Sequence, residues 1–414
     1  MELDTAVAGP EAAASPWRRL PLVDAAPGFR HFEGIRVVDL TTSVAGPYAT
    51  MLLSDFGAEV IKIERPSGDD ARHWGPPFLE GQALWFSAVN RNKKSVVLDL
   101  VTADGRAQLR RLIAGADVVV TNQPPDVQRK LGLDYDSLRS LREGLIFVAI
   151  TGFGLEGARA GLTSYDLIAE GYSGIMDITG AAESAPQKVG APAADMLAGQ
   201  DAAMATMAAL YARQNTGKGA LIDISLVESM TRFLSCRISS YLGSGEVPER
   251  TGGTDSVIAI YQSFETADEP LNLGLGSDAI WRRFWAALNE PDYAARPEFA
   301  SNAERREHRA GIVARIQRAL LTRGRAEWLA LFARARVPAG PINRVDQVAH
   351  DAELQARGLF FALRDGDRIS PQIGLGIHID GKTATPRAAP PELGQHSAEV
   401  LGNLSDHKKE HRDG

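Results

Sequence analysis

A doubly wound α/β fold is predicted by three features: short apolar strands, helix-length segments between them, and repetition of that alternation from Gly34 to about residue 230. From Gly34, IRVVDL, GPYATMLLSDFGA and EVIKIERP read as strand, helix and strand, the spacing of a βαβ unit with parallel strands. SVVLDL, the helical TADGRAQLRRLIAGA, the apolar DVVVTN, the helix-like DYDSLRSLREG and the strand LIFVAI continue the pattern. Short buried strands separated by helices favour a sheet of Rossmann-like character. The small-residue segment MLAGQDAAMATMAALYARQ then predicts a tightly packed helix, and TGKGALIDISLVESM supplies one more strand and starts another helix.

Between about residues 240 and 275 the chain is rich in Gly, Ser and polar turns, and it leads into amphipathic helices: DAIWRRFWAALN, HRAGIVARIQRALLTRG and RAEWLALFARARV. These predict a second, smaller α+β domain, closed by the turn VPAGPINRV. Beyond Leu354, FFALRDGDRIS and LGIHIDG are strand-like, a Pro-rich passage ends in PPELGQHSAEVLGNL, and the final KKEHRDG is expected to fray. The expected organisation is a flexible or loosely docked arm over 1–30, a large Rossmann-like domain over 31–230, a linker and small domain over 231–354, and a C-terminal segment over 355–414 that returns to the large domain.

With 414 residues, 44% hydrophobic and 23% charged, the chain can bury a full core without staples. A net charge of −7 and a pI near 5.7 argue against nucleic acid or an anionic membrane as the main partner, so an anionic ligand must be met by local cations. No apolar run approaches the ~20 residues needed to span a bilayer. The first thirty residues contain prolines and no continuous apolar core, which fits neither a secretory signal nor a typical transit peptide, and a cytoplasmic protein is expected. Cys236 is the single cysteine, and its flanks, RFLSCRISSYL, predict a thiol buried in a helix. The scattered histidines and the lone cysteine have no zinc-site spacing, so no metal is expected.

Two local patterns bear on chemistry. Gly152-Phe153-Gly154-Leu155-Glu156-Gly157 is a literal GxGxxG after the strand LIFVAI, with Asp177 beyond it. The following ARAGLTS has no helical periodicity, whereas a dinucleotide fingerprint needs a helix there to support the pyrophosphate, so the glycines predict close backbone approach rather than NAD or FAD binding. Asp195 ends the turn GAPAA and opens the small-residue helix. A carboxylate at that place is either a helix cap or a charge held ready for chemistry, and the positive helix end would keep it ionised in both cases.

The chain from Gly34 to its C-terminus resembles the family III CoA-transferases, the formyl-CoA transferase-like group. The resemblance rests on GIRVVDLTTSVAGPYATMLLSDFGAEVIKIERPSGDDARHWGPP, VNRNKKSVVLDL, ADVVVTN with RKLGLDYDSL, ITGFG, SYDLIAEGYSGIMDITG, DMLAGQDA with TGKGALIDISLVES, VPAGPIN and LGQHS. It implies that Asp195 is the catalytic nucleophile, passing through an aspartyl anhydride and an aspartyl-CoA thioester. It further implies a CoA thioester as substrate, no tightly bound cofactor, a small carboxylic acid as second partner, and an interlocked homodimer. Arg65 matches a CoA-contacting arginine of the family, and Lys130 falls at another such basic position with Arg129 beside it. Arg72, Lys93 and Lys94 are additional basic candidates. Adenine or pantetheine contacts map onto Leu98, Asp99, Asn122 and the stretch Thr163 to Asp166, which includes Tyr165. Gly252-Gly253 is the nearest counterpart of the family's flexible glycine loop. Ser43-Val44 stands where some members carry a glutamine; this weakens any transfer of formyl or oxalate specificity, and Val44 suggests a bulkier or partly apolar acyl group.

The same fold holds α-methylacyl-CoA racemases, which use a histidine before the aspartate of a G-H-D segment. Here the segment is Ser164-Tyr165-Asp166, and tyrosine, with a reference pKa of ~10, is poorly suited to exchanging the substrate α-proton. Tyr165 therefore favours transfer over racemisation. A non-catalytic acyl-CoA-binding protein is the remaining alternative. Along its whole length the resemblance is nearest to members using dicarboxylic acyl groups such as succinyl-CoA, with Arg72 or His73 as candidate partners of a second carboxylate.

Overall fold

The computed structural model describes residues 15–410. The first part of the expected N-terminal arm and the last four residues of KKEHRDG lie outside the described residues. Contacts divide the chain into two compact units. Among the described residues, the first takes those up to Ser173, Val189–Leu234 and those from Ala349 on; the second takes Gly174–Lys188 and Ser235–Val348.

The first unit is built on a six-stranded sheet: β1 (Arg36–Asp39), β2 (Glu59–Glu64), β3 (Lys93–Val97), β4 (Val118–Thr121), β5 (Ile146–Thr151) and β6 (Ala220–Ser225). Every pairing is parallel and the order is β3-β2-β1-β4-β5-β6, with register pairs Val38↔Ile61, Val38↔Val119 and Val119↔Phe147 at its centre. This is the order of the dinucleotide-binding doubly wound fold, whose ligand crevice opens beyond the C-terminal ends of the strands where the order reverses. Here the reversal falls between β1 and β4. Strands β4 and β5 are buried along their whole length, as expected of parallel strands covered on both faces, whereas the edge strand β6 alternates.

Helix α1 (Ala45–Asp55) follows β1, α2 (Ala103–Ala114) precedes β4, and α3 (Pro125–Leu131) follows β4. Two more helices, α4 (Asp166–Ser173) and α5 (Ala193–Thr216), lie between β5 and β6, and α6 (Leu226–Phe233) follows β6. Leu109, Leu112 and Ile113 of α2 pack with Val38, Ile61, Val96, Val119 and Phe147 of the sheet. The α5 sequence is rich in Ala because it meets α1 at close range: a Cβ on Gly199 would lie 2.5 Å from the Ala45 carbonyl oxygen.

The chain ends complete this unit. Leu22–Asp24 pairs in parallel with Phe360–Asp365, which pairs antiparallel with Arg368–Ile373. The His396 amide donates to the Ser95 carbonyl at 2.9 Å and the Ser397 hydroxyl accepts from the Val97 amide at 3.0 Å, so LGQHS lies along β3.

In the second unit Tyr261–Phe264, Leu271–Gly274 and Ala339–Pro341 form an antiparallel sheet. Trp281, Phe284 and Trp285 from the helix Asp278–Ala287 join Ile312, Ile316, Trp328 and Phe332 in its core. Cys236 is exposed, contrary to the buried thiol its flanks suggest: the helix Ser235–Ser244 buries none of its residues, and Tyr241 and Leu242 on it are exposed as well.

Gly199→Val is expected to lower the urea midpoint by the equivalent of about 1–3 kcal/mol, the cost of overpacking a tight contact. Equilibrium unfolding followed by circular dichroism checks this.

Candidate active site

The loop between β1 and α1, at the point where the sheet order reverses, is held by buried ions. Lys62, fully buried on β2, lies 2.8 Å from Asp69 and donates to the Thr41 carbonyl at 2.8 Å. Lys93, equally buried on β3, lies 3.1 Å from Asp39 and also donates to Asn90 and the Pro47 carbonyl. Burial alone would push the Asp39 carboxyl up, but the two ammonium groups and the Thr41 and Thr50 hydroxyls hold it well below the ordinary carboxylate range. Asp69 reaches across to accept from the Ser43 amide at 3.0 Å, fixing Ser43 in the left-handed region at φ 70°. From β4, the Asn122 side chain accepts from the Thr42 amide at 3.1 Å and donates to its carbonyl at 2.8 Å.

Above this loop is a cavity of about 250 Å³ whose wall includes Thr42, Ser43, Ala45, Asn122, Gly152, Thr163, Ser164, Tyr165 and Asp195. A neighbouring hollow of about 340 Å³ is lined by Arg65, Leu98, Asp99, Leu131 and Leu133, among others. Thr42, Asp70 and Gln123 line both, so the two adjoin. The structure thus brings together Asp195, Asn122 and Tyr165 in one cavity and Arg65, Leu98 and Asp99 in the adjoining one. Thr42, Asp70 and Gln123 went unnoticed in the sequence; only the reversal of strand order marks them.

Asp195 belongs to the first turn of α5, but it does not cap that helix, as the sequence suggested. Pro192 is the cap residue and offers no side-chain acceptor. The acceptor comes from α4: Asp166 Oδ1 receives the Ala194 amide at 2.8 Å and the Asp195 amide at 3.3 Å. Nor does the helix end keep the Asp195 carboxyl acidic. Burial, reinforced by the charge of Asp166, pushes it up to about 7.

Several candidate cations are already committed. Arg72 makes two 2.7 Å bonds to Glu64, stacks over Phe86 at 3.8 Å and donates to the Pro391 carbonyl, so it is not free to meet CoA or a second carboxylate. Lys93 is enclosed in the ion network described above, and Lys94 is paired with Glu59 and Glu399. His73 is exposed beside the Ser67 carbonyl. Arg65 is half-exposed and paired with Asp70 at the junction of the two hollows. Lys130 and Arg129 lie exposed on α3, outside both linings. Val44 is buried and also outside the cavity wall, so the apolar acyl preference it suggested has no support there, whereas Ser43 does face the cavity.

The GxGxxG is followed by irregular chain rather than a helix, as its sequence context predicted. Gly152 serves another purpose: a Cβ there would lie 2.2 Å from the Ser164 Cβ, so glycine lets the segment carrying Thr163, Ser164 and Tyr165 close over β5. Gly252-Gly253 belongs to the second unit, where the Gly252 amide donates to the Gly180 carbonyl at 2.9 Å.

A crevice at the strand reversal, with one poorly solvated carboxylate and hydroxyl and amide groups around it, suits an enzyme acting on a carbonyl carbon. The comparison with known proteins is specific: the model of CoA-transferase family III matches residues 32–397, and the chain belongs to that family, which makes it a CoA-transferase. The succinate–glutarate CoA-transferase of Agrobacterium fabrum is 38% identical over 380 residues, covering 90% of this chain and 95% of that protein. The succinyl-CoA:glutarate CoA-transferase of Mus musculus is 35% identical, covering 89% and 85% respectively. A crystal structure of a CAIB/BAIF family protein from Brucella suis superposes with a TM-score of 0.80 at 37% identity, covering 91% of this chain and 100% of that one.

Lys62→Met is expected to destabilise the protein by about 3–5 kcal/mol, since it strands Asp69 without a counter-ion in the interior and leaves Asp39 with Lys93 alone. Lys94→Met, which breaks only partly solvated pairs, is expected to cost about 1 kcal/mol or less. Paired chemical denaturation curves distinguish the two.

Proposed function

We propose that the protein transfers CoA from a dicarboxylic acyl-CoA, with succinyl-CoA the first candidate, to a small organic acid, using Asp195 as the nucleophile. The Asp195 carboxylate attacks the thioester carbonyl and expels CoA thiolate, forming a mixed anhydride. The thiolate attacks the aspartyl carbonyl, releasing the donor acid and leaving an aspartyl-CoA thioester. The acceptor carboxylate attacks that thioester and again expels thiolate, which then takes the acceptor's carbonyl and regenerates free Asp195. Each displacement conserves charge, so no external acid or metal is required.

The observation that carries this reading is the position of Asp195 in the wall of the cavity at the strand reversal, with its carboxyl pushed up to about 7 by burial and by Asp166. A poorly solvated carboxylate is a stronger base and nucleophile than a surface one, at the cost of being ionised over a narrower pH range. The Ser43, Thr163, Ser164 and Tyr165 hydroxyls and the Asn122 amide surround the space where tetrahedral oxyanions would form. The adjoining hollow suits the remainder of CoA, with Leu98, Leu131 and Leu133 as apolar walls, Arg65 as the phosphate cation and Asp99 as a polar contact. Lys130 is assigned to the same ligand from α3. Tyr165, 66% exposed and in the cavity wall, takes the place a proton-exchanging histidine would need, which supports transfer over racemisation.

The choice of a dicarboxylate rests on the relatives named for succinate, glutarate and succinyl-CoA. No Lys, Arg or His among the described residues lines the Asp195 cavity, so a second carboxylate would be held there by hydroxyl and amide donors. A homodimer belongs to the same reading, supported by the exposure of Met204, Tyr211, Leu221 and Phe233 in the first unit. A cytoplasmic location is assigned with it; among the described residues no helix is long and apolar enough to cross a membrane.

Asp195→Asn, nearly isosteric, is expected to lower acceptor-dependent CoA exchange by about 10³-fold or more while CoA-thioester affinity stays within a few-fold. Exchange is measured with succinyl-CoA and a panel of small acids. Wild-type turnover in the variant would overturn the assignment of the nucleophile, and α-proton exchange without any acceptor acid would indicate racemisation.

A further inference from the structure

The amides of Ala194 and Asp195 point out of the first turn of α5, and the residues before the turn cannot satisfy them. Pro192 has no acceptor in its side chain, and the Ala191 and Pro192 carbonyls already accept from Ala193 and Met196. Both orphan donors are taken instead by one oxygen of Asp166, at 2.8 and 3.3 Å. The family resemblance implies ligand contact for Asp166 together with Thr163, Ser164 and Tyr165. Those three line the cavity, whereas Asp166 is turned from the wall toward α5.

We propose that Asp166 is a positioning residue for CoA transfer: it anchors the turn that carries Asp195, and its negative charge beside Asp195 strengthens that carboxylate as a nucleophile. The inference rests on the reading of Asp195 as nucleophile. An ordinary N-cap serine or asparagine would anchor the turn equally well but would add no charge. A carboxylate there does both, because two carboxylates in one site make ionisation of the second harder, and a carboxylate of higher basicity attacks carbonyl carbon faster.

Other charges near the first turns of α5 are engaged elsewhere. Asp70, across the cavity, is paired with Arg65. Glu170, one turn along α4 from Asp166, is buried and accepts from the Val189 amide at 2.9 Å. On the side facing α6, Asp201 bonds Ser229 and Arg232, and Glu228 is exposed. Tyr165 is the remaining titratable group of the cavity wall. Asp166 is the one charge that contributes to the upward displacement of Asp195, after burial itself.

The test compares Asp166→Asn, Asp166→Ala and Asp195→Asn in the full-length enzyme. Asparagine keeps an oxygen for both amides and removes the charge; alanine removes both. In Asp166→Asn the acid limb of the pH profile of kcat/KM is expected to move to lower pH by about 1 unit, and the plateau rate to fall several-fold, with Tm little changed. Asp166→Ala is expected to lower Tm and to reduce the rate at all pH values. Titration of ¹³C-labelled aspartate carboxylates, with the Asp195 signal assigned by its loss in Asp195→Asn, reads the same displacement without using activity. An acid limb and a ¹³C titration both unmoved in Asp166→Asn would overturn the inference. Wild-type turnover in Asp195→Asn would overturn the nucleophile reading instead, so the two failures are told apart.

Discussion

Lys62 is the ion on which the crevice depends. An ammonium without contact to water is tolerated only where carboxylates and carbonyls replace its hydration shell, and Asp69, with the Thr41 carbonyl, does so at 2.8 Å. The arrangement consumes charges that could otherwise have bound ligand. In return it ties β1, β2 and the loop beyond them together at the strand reversal. Asp69 in turn holds the Ser43 amide, and Asn122 holds Thr42 from the neighbouring strand, so the floor of the cavity is fixed from two directions. A rigid floor is what acyl transfer requires, because donors are effective only if they are already aimed where charge develops.

The helices set Asp195, the proposed nucleophile, against that floor. Close approach of α5 to α1, permitted by Gly199 and the alanines around it, brings the first turn of α5 to the cavity that Ala45 also lines. Burial there makes ionisation of Asp195 costly, and in the proposed mechanism that cost is the source of its reactivity. The protein thus combines a strongly stabilised ion network below the crevice with one destabilised carboxylate in its wall. Such pairing of a satisfied support with a strained reactive group is common where stability and activity compete.

Much of the first unit was legible from sequence, because central parallel strands are continuous apolar runs; VVVT and IFVAIT need no partner information to be read as strands. Leu22–Asp24 and Tyr261–Phe264 were not, since short edge segments carry few apolar residues and are defined by what they pair with, and Leu271–Gly274, though central in its sheet, is only four residues long. In the site, Asp195, Asn122, Tyr165, Arg65, Leu98 and Asp99 stood out through family resemblance. Arg72, Lys93 and Lys94 were no more than candidate cations, because a basic residue shows its charge in the sequence but not its partner. The partners of Lys94 and Arg72 include Glu399 and the Pro391 carbonyl, each some three hundred positions away. Asp166 stood out only as a ligand contact, and its capping role was invisible for the same reason: a cap supplied by a residue 28 positions before the helix amide leaves no local signature.

The central claim is that Asp195 becomes covalently bonded to CoA and to the acyl group during turnover. It is tested most directly by incubating the protein with succinyl-CoA, quenching with hydroxylamine or acid, and examining the peptide that contains Asp195 by mass spectrometry. The account predicts a CoA or succinyl adduct on Asp195 that hydroxylamine removes, with conversion of the side chain to the hydroxamate. An unmodified Asp195 in enzyme that is turning over the same succinyl-CoA with an acceptor acid would contradict it.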